Sequence, residues 1–301
     1  MFAEDSDKQQ HFIQLIEREL IKPENGLLPI VQQLNAYAKS PKSQEITPAK
    51  IVDFNEPLRS FLQANQHQLT TMAIDLPIFL KAQKETAKTL MICAMDPLPP
   101  LPTSAFWHNK NVQFNETVGF WAPFSLIDDW NHPTGSMRTN ISFFKTLLSN
   151  YNLYVTDIYK LFFRFEQSGN YLASNAIQEY TSLLGVNGRS FHGNLLAKEI
   201  ELVNPCAILT LGNAARDKLL AINFLLNNHL QPPTHWGDDF QQYVWNNSIP
   251  LIASPHISGA ANGAKAKIVS NERYKHMNGV VQNERLANIV LAHIESKLSI
   301  L

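Results

Sequence analysis

Four short apolar runs, each bounded by polar or turn residues, dominate the chain from residue 88 onward. In chain order they read TLMICAMDP, NLYVTDIYK, CAILTLGN and IPLIASPH. Runs of this kind are typical of strands that are buried on both faces. Helical patterns lie between and after them, at 137–148, 171–184, 194–203, 214–230 and 286–301. This alternation predicts right-handed β-α-β units, and FQQYVWNN predicts an extra strand beside the last one.

The first ninety residues carry mainly helical spacing. Apolar residues recur at helical intervals in 12–20 and 27–34, and 51–82 shows a mixed apolar helical pattern. A polar, proline-containing loop is predicted at 40–48. We therefore expect residues 1–87 to form a helical extension packed on the core. Residues 88–301 should form an α/β domain with a central four-stranded, mostly parallel sheet flanked by helices.

Composition supports a globular protein without a strong electrostatic field. Apolar residues make up 45% and charged residues 17%, and the formal charge is −1. A nucleic-acid partner would therefore need a local basic patch. No apolar stretch is long enough to span a membrane, and the first ten residues are polar, which predicts a cytoplasmic protein with no membrane partner. We expect a monomer.

The cofactor signatures common in α/β proteins are missing from the sequence. It has neither a GxGxxG loop nor a GxxxxGK[ST] loop, which argues against an ordinary dehydrogenase or kinase. Its two cysteines, Cys93 and Cys206, are too few for a structural zinc or an iron–sulfur cluster. We expect no metal and no organic cofactor.

Polar residues follow each predicted core strand, where open parallel sheets bind their ligands. Asp96 follows the first strand, Asp157 ends the second, Gly212 and Asn213 follow the third, and 254–258 (SPHIS) follows the fourth. The sequence therefore predicts one ligand site built from strand ends.

These segments resemble motifs of the uracil-DNA glycosylase superfamily. AMDP at 94–97 is similar to its GQDP motif, HIS at 256–258 to its HPS motif, and TDIYK at 156–160 to its TNVVK strand. The passage 199–215 is similar to a further segment of the form EI..I.P..I..LG..A. The resemblance spans roughly residues 88–263 and implies the fold of that superfamily and hydrolysis of a base–sugar bond in DNA.

The resemblance assigns roles to individual residues. Asp96 would orient the attacking water and His256 would stabilise the anionic leaving base. Phe120, with Trp121 as second choice, would stack on a flipped base from a loop at 118–124. The alternatives are an Asx-turn for Asp96, a strand-end role for His256 and core packing for the aromatics.

Asp157 stands where the superfamily has an asparagine that pairs with uracil. An ionised carboxylate only accepts hydrogen bonds, and uracil O4 is also an acceptor. Asp157 therefore suits a base edge with two donors better than the uracil edge. Asp157 would then set a base preference other than uracil. The alternative is a structural ion pair with Lys160 or Arg164.

The segment after the last strand offers groups for DNA phosphates, which are Ser254, Ser258, Asn262, Lys265 and Lys267. Several positions depart from the superfamily, including Leu98 in place of a tyrosine and Ile257 in place of a proline. The loop to Asn262 also lacks the leucine that enters the duplex.

The primary interpretation is a divergent DNA glycosylase-like enzyme acting on a damaged or deaminated base. Two others stay open, a non-catalytic nucleic-acid or nucleotide-binding protein of the same fold and a small-molecule hydrolase.

Overall fold

The computed structural model describes residues 6–39, 49–54, 59, 69–94, 117–121, 137–167, 170–172, 191–227, 242–245, 248–258 and 261–299. Its helices are α1 (Ser6–Glu19), α2 (Leu28–Lys39), α3 (Met137–Leu148), α4 (Phe191–Val203), α5 (Asn213–Asn227), α6 (Asn262–Val269) and α7 (Gln282–Leu298). Its strands are β1 (Ile21–Pro23), β2 (Ala49–Phe54), β3 (Leu69–Asp75), β4 (Ile78–Leu80), β5 (Thr89–Ala94), β6 (Thr117–Trp121), β7 (Asn152–Asp157), β8 (Leu161–Gln167), β9 (Asn170–Leu172), β10 (Ala207–Leu211), β11 (Gln242–Trp245) and β12 (Ile249–Ser254). No helix within these ranges is long and apolar enough to cross a membrane.

The four apolar runs form the parallel core of one sheet, as predicted. They are β5, β7, β10 and β12, and the sheet has the order β11-β12-β10-β5-β7-β4. Its central pairs are parallel. Antiparallel β11, predicted from FQQYVWNN, and antiparallel β4 close its edges. The expected mostly parallel α/β sheet is thus confirmed, and its edges make it six strands wide.

Helices cover both faces of this sheet because successive side chains of a strand point to opposite faces. Leu90 and Ile92 of β5 belong to a buried cluster that includes side chains of α1, α3 and α7. Met91 and Cys93 belong to a second cluster, which includes side chains of α4 and α5. The amino-terminal helix α1 therefore packs into the same core as β5, and Lys198 of α4 binds its Glu19 at 2.8 Å.

The helical prediction for 51–82 is wrong, because this segment holds strand residues of β2 together with β3 and β4. The segment LTTMAID of β3 is rich in β-branched residues, and a short apolar run does not separate helix from strand by periodicity. β2 and β3 belong to a second sheet of order β1-β2-β6-β3-β8-β9. The helix predicted at 171–184 falls mostly outside the described residues, and 171–172 lie in β9.

Two short chain segments connect the sheets. β4 pairs antiparallel with β7, and β3 pairs antiparallel with β8. Residues 76–77 join β3 to β4, and 158–160 join β7 to β8. The second sheet therefore continues directly from the carboxyl end of β7.

A buried ion pair fixes this junction to α4. Lys160 and Glu199 are almost fully buried, and Lys160 Nζ lies 2.8 Å from Glu199 Oε2. Lys160 Nζ also donates to the backbone oxygen of Asp157 at 2.7 Å and to Thr156 Oγ1. The hydroxyls of Tyr154 and Thr156 donate to Glu199 Oε1 at 2.7 and 2.9 Å. The carboxylate is thus solvated by the protein, and burial beside it raises the pKa of Tyr154 well above its usual range.

We expect Glu199→Gln to lower the free energy of unfolding by about 3–5 kcal/mol, because it leaves the buried Lys160 ammonium without its counter-charge. The double variant Lys160→Met with Glu199→Gln should recover most of this loss, since it buries no net charge and keeps an acceptor for the hydroxyls. Urea denaturation of both proteins measures the difference. A single variant within about 1 kcal/mol of wild type would show that the pair does not hold the junction.

Candidate functional site

The strand order places a switch point in the parallel sheet. The chain runs from β5 to its neighbour β7 on one side, and from β10 to its neighbour β12 on the other. Outside the carboxyl ends of β5 and β10 the connections therefore diverge, which leaves a crevice where such sheets bind ligands. Asp96 follows β5 by two residues, and its position lies outside the described residues.

His256 follows β12, which pairs with β10 on the side away from β5. The Gly212 amide, at the end of β10, donates to the Ser254 carbonyl at 2.8 Å and ties the two strand ends together. Gly212 has φ +94°, and a Cβ built on it would lie 3.5 Å from His256 Cβ. Residues with a Cβ rarely adopt a positive φ. Glycine at this position therefore allows the chain to turn next to the imidazole.

A cavity of about 640 Å³ opens beside His256, within the range of small-molecule sites. The described residues that line it are Gly212, Asn213, Pro255, His256, Ala261, Gly263, Ala264, Lys267, Ile268 and Asn271. The amino-terminal turns of α5 and α6 both contribute residues to this wall.

The hydrogen bonds of His256 define its tautomer. Its Nδ1 accepts the backbone N–H of Ser258 at 3.1 Å and lies 2.7 Å from Ser258 Oγ. An Nδ1 that accepts an amide carries no proton, so the neutral ring carries its proton on Nε2. Burial lowers the pKa of His256 below its ordinary value, and the positive charge of Lys265 lowers it further. His256 is therefore neutral at neutral pH and can donate from Nε2.

Lys265, predicted as a phosphate contact, does not lie on the surface. Its side chain is buried, and Nζ donates to the Ile257 carbonyl at 2.7 Å and to Asn283 Oδ1 at 2.9 Å. Ser254 is also fully buried, and its hydroxyl donates to the Pro255 carbonyl at 3.1 Å. Neither side chain is accessible to a phosphate in this conformation.

The other predicted phosphate contacts lie near the cavity. Lys267 is exposed and lines it, and Asn262 is exposed at the first residue of α6. Ser258 is partly buried and engages His256. Lys267 and Asn262 stay predictions for phosphate contact, and Ser258 has a role in orienting the imidazole.

Asp157 lies at the same edge of the sheet as His256, on the far side of β5. It ends β7, pairs in register with Ala94 and is 3% exposed. It is not among the described residues that line the cavity. Lys160 binds the Asp157 backbone oxygen and the Glu199 carboxylate, and the Arg164 side chain lies outside the described part of the structure.

Phe120 and Trp121 belong to β6 of the second sheet, which corrects the predicted loop at its start. Phe120 pairs with Ile74, and Ile74 pairs with Leu161 at the start of β8. At about 4.8 Å per strand spacing, the Phe120 backbone lies roughly 10 Å from that of Leu161. β6 therefore reaches toward the junction that follows Asp157, and both aromatic side chains lie outside the described residues.

Two residues near the site escaped the sequence interpretation. Asn271 lines the cavity, and Asn283 binds Lys265 from the first turn of α7. Asn283 shares a helical face with the buried Leu286, Ala287 and Val290. A polar residue on an apolar face was the signal that could have identified it.

Comparison with known proteins gives no independent assignment, since no protein-family model and no curated protein matches the chain. Within the described residues, no group of three or more potential metal-binding side chains comes together.

We expect the His256 imidazole to titrate below its ordinary pKa of 6.5 and to be the Nε2–H tautomer when neutral. Its folded pKa is lower than its unfolded pKa, so its contribution to stability is fully present above pH 6.5 and is lost as the pH falls through the folded pKa. Nitrogen NMR of the ring measures both properties, and unfolding of His256→Gln should show a shallower pH dependence in this window. A protonated Nδ1 in the neutral ring would contradict the assignment.

Proposed function

We propose that the chain is a divergent DNA glycosylase-like enzyme that hydrolyses the N-glycosidic bond of a flipped, damaged or deaminated base. The observation that carries the proposal is the His256 imidazole, whose Nδ1 accepts the Ser258 amide, on the wall of a cavity of about 640 Å³ beyond the ends of β10 and β12. The motif resemblance gives the reaction class. The enzyme is proposed to work as a cytoplasmic monomer without metal or organic cofactor.

Base release creates an oxocarbenium-like sugar and an anionic leaving base. A neutral histidine can donate a hydrogen bond to the base as its charge develops, and this bond strengthens in the transition state. A lowered pKa suits this role because it keeps the ring neutral before the reaction. A protonated histidine would be more strongly solvated at that stage. Asp96, two residues beyond β5, is proposed to orient the water and to stabilise the cationic sugar.

The described part of the proposed DNA surface, after β12, is small. Of the two lysines assigned to phosphates, only Lys267 is exposed, and nearby Lys275 forms an ion pair with Glu272. The affinity for DNA should therefore be modest, with a shallow salt dependence.

This small basic surface favours a second candidate, a protein that binds a nucleotide in the cavity without catalysis. A free nucleotide needs few phosphate contacts, and the cavity volume suits it. Nucleotide binding without release of any base from DNA would favour this function.

Replacing His256 or Asp96 by Ala should slow base release by roughly 10²–10⁴-fold while most of the DNA affinity remains, since general acid–base and charge-stabilising groups contribute on that scale. The measurement is single-turnover release from single- and double-stranded oligonucleotides containing uracil, hypoxanthine or xanthine. His276→Ala, which changes an exposed histidine away from the cavity wall, is the matched control. Wild-type rates in both site variants would refute these roles.

The proposed base preference follows from Asp157. Wild type should be slow on uracil, and Asp157→Asn should accelerate uracil release about tenfold or more, because the amide supplies a donor for O4 at nearly constant volume. Rates on the same panel of bases test this expectation. If Asp157 has only a structural role, its substitution should change the free energy of unfolding and leave the order of preferred bases unaltered.

A further inference from the structure

Lys265 is a buried cation directly beneath the cavity wall. It is 3% exposed, and among the described residues its ammonium has two neutral acceptors, the Ile257 carbonyl at 2.7 Å and Asn283 Oδ1 at 2.9 Å. Burial of an ammonium without a carboxylate partner costs free energy. Other interactions must offset this cost, or the buried charge must serve a function.

We infer that Lys265 is a positioning residue. It holds the backbone that follows β12 through the Ile257 carbonyl and thereby sets the orientation of the His256 ring. Its role in catalysis rests on the proposed function, whereas its effect on His256 does not.

Hydrogen bonds connect Lys265 to the His256 ring. Lys265 binds the carbonyl of Ile257, which lies between His256 and Ser258 in the chain. Ser258 in turn donates to His256 Nδ1 through its backbone amide. The ammonium therefore holds the peptide segment that presents the amide to the ring, and this amide selects the tautomer.

Further buried hydrogen bonds hold the same carbonyl in place. The Asn283 side-chain amide donates to the same Ile257 carbonyl at 3.0 Å and to Asn140 Oδ1 at 3.2 Å. Residues of α6, α7 and α3 are thus joined to the turn after β12 by one buried network. A side chain placed by three helices loses little freedom when a ligand binds.

The positive charge of Lys265 acts on His256, and other cations lie on α5 and α6. On α6, Lys265 is buried and Lys267 is exposed on the cavity wall. On α5, Arg216 is bound to Asp217 at 2.7 Å. Solvent screens Lys267 and the carboxylate offsets Arg216, so of these three described cations Lys265 is the one whose field reaches the imidazole with least screening. This field disfavours the imidazolium and would stabilise negative charge that develops in the cavity.

The test compares the full-length chain with Lys265→Met, Lys265→Arg and Lys267→Met. Ring-nitrogen NMR gives the pKa and tautomer of His256, and hydrogen exchange gives the protection of the Ser258 amide. We expect Lys265→Met to raise the His256 pKa and to speed Ser258 exchange. Lys265→Arg should keep most of the pKa effect. Lys267→Met should change the pKa less, and added salt should reduce its effect.

Activity provides a second readout on whichever oligonucleotide the wild type cleaves. Lys265→Met should lower kcat roughly ten- to a hundredfold with a small change in KM, as expected for a misplaced donor. The acid limb of the pH–rate profile should move to higher pH together with the His256 pKa. A purely structural lysine would lower stability and leave this limb in place.

If Lys265→Met does not fold, Asn283→Asp replaces it, since a carboxylate beside Nζ offsets the same charge. An unchanged His256 pKa and unchanged Ser258 exchange in the folded variant would overturn the inference. If the NMR shifts occur but wild type releases no base from any substrate, the positioning role holds and the proposed function fails.

Discussion

Burial of both faces of the central strands is the constraint on which the rest of the structure depends. Every residue of β10 is buried, as are the five residues of β5 that follow Thr89. Strands of this kind cannot lie at the surface, so helices must cover both sides. The amphipathic helices are stable largely because they bury an apolar face against this sheet. The crossovers that they provide make the strands parallel and bring the carboxyl ends to one edge.

That edge is where apolar packing ends and polar chemistry begins. Backbone groups there no longer all find partners in the sheet and must be satisfied locally. The Gly212–Ser254 bond, the Lys160–Asp157 bond and the Lys265–Ile257 bond each satisfy a carbonyl at or just beyond a strand end. The side chains of the candidate site are thus held by interactions that the strand ends require for stability. Function at this edge uses groups that are already ordered.

Apolar patterning was sufficient to predict the parallel strands and most of their helices, because continuous apolar runs and helical spacing report burial directly. It failed in 51–82, where short runs rich in β-branched residues were assigned to helices. Periodicity there was ambiguous, and pairing with distant strands such as β6 and β8 decided the structure. The position of His256 after β12 predicted that it lies near a strand end, where it lines the cavity. The tautomer of His256 could not be predicted, since this depends on the Ser258 amide.

The two buried lysines, Lys160 and Lys265, show which features of a site can be predicted from a sequence and which cannot. Both were interpreted through their charge, Lys160 as a partner for Asp157 and Lys265 as a phosphate contact. Lys265 lies four residues before the buried Val269, so helical spacing already placed it on the inner face of α6. Lys160 meets Glu199, 39 residues away, which only the fold brings near. Lys160 thus forms an ion pair that stabilises the junction between β7 and β8. Lys265 contacts neutral acceptors, so its positive charge is not offset and acts on His256. The local surroundings of a buried charge, and not its residue type, decide whether it serves stability or chemistry.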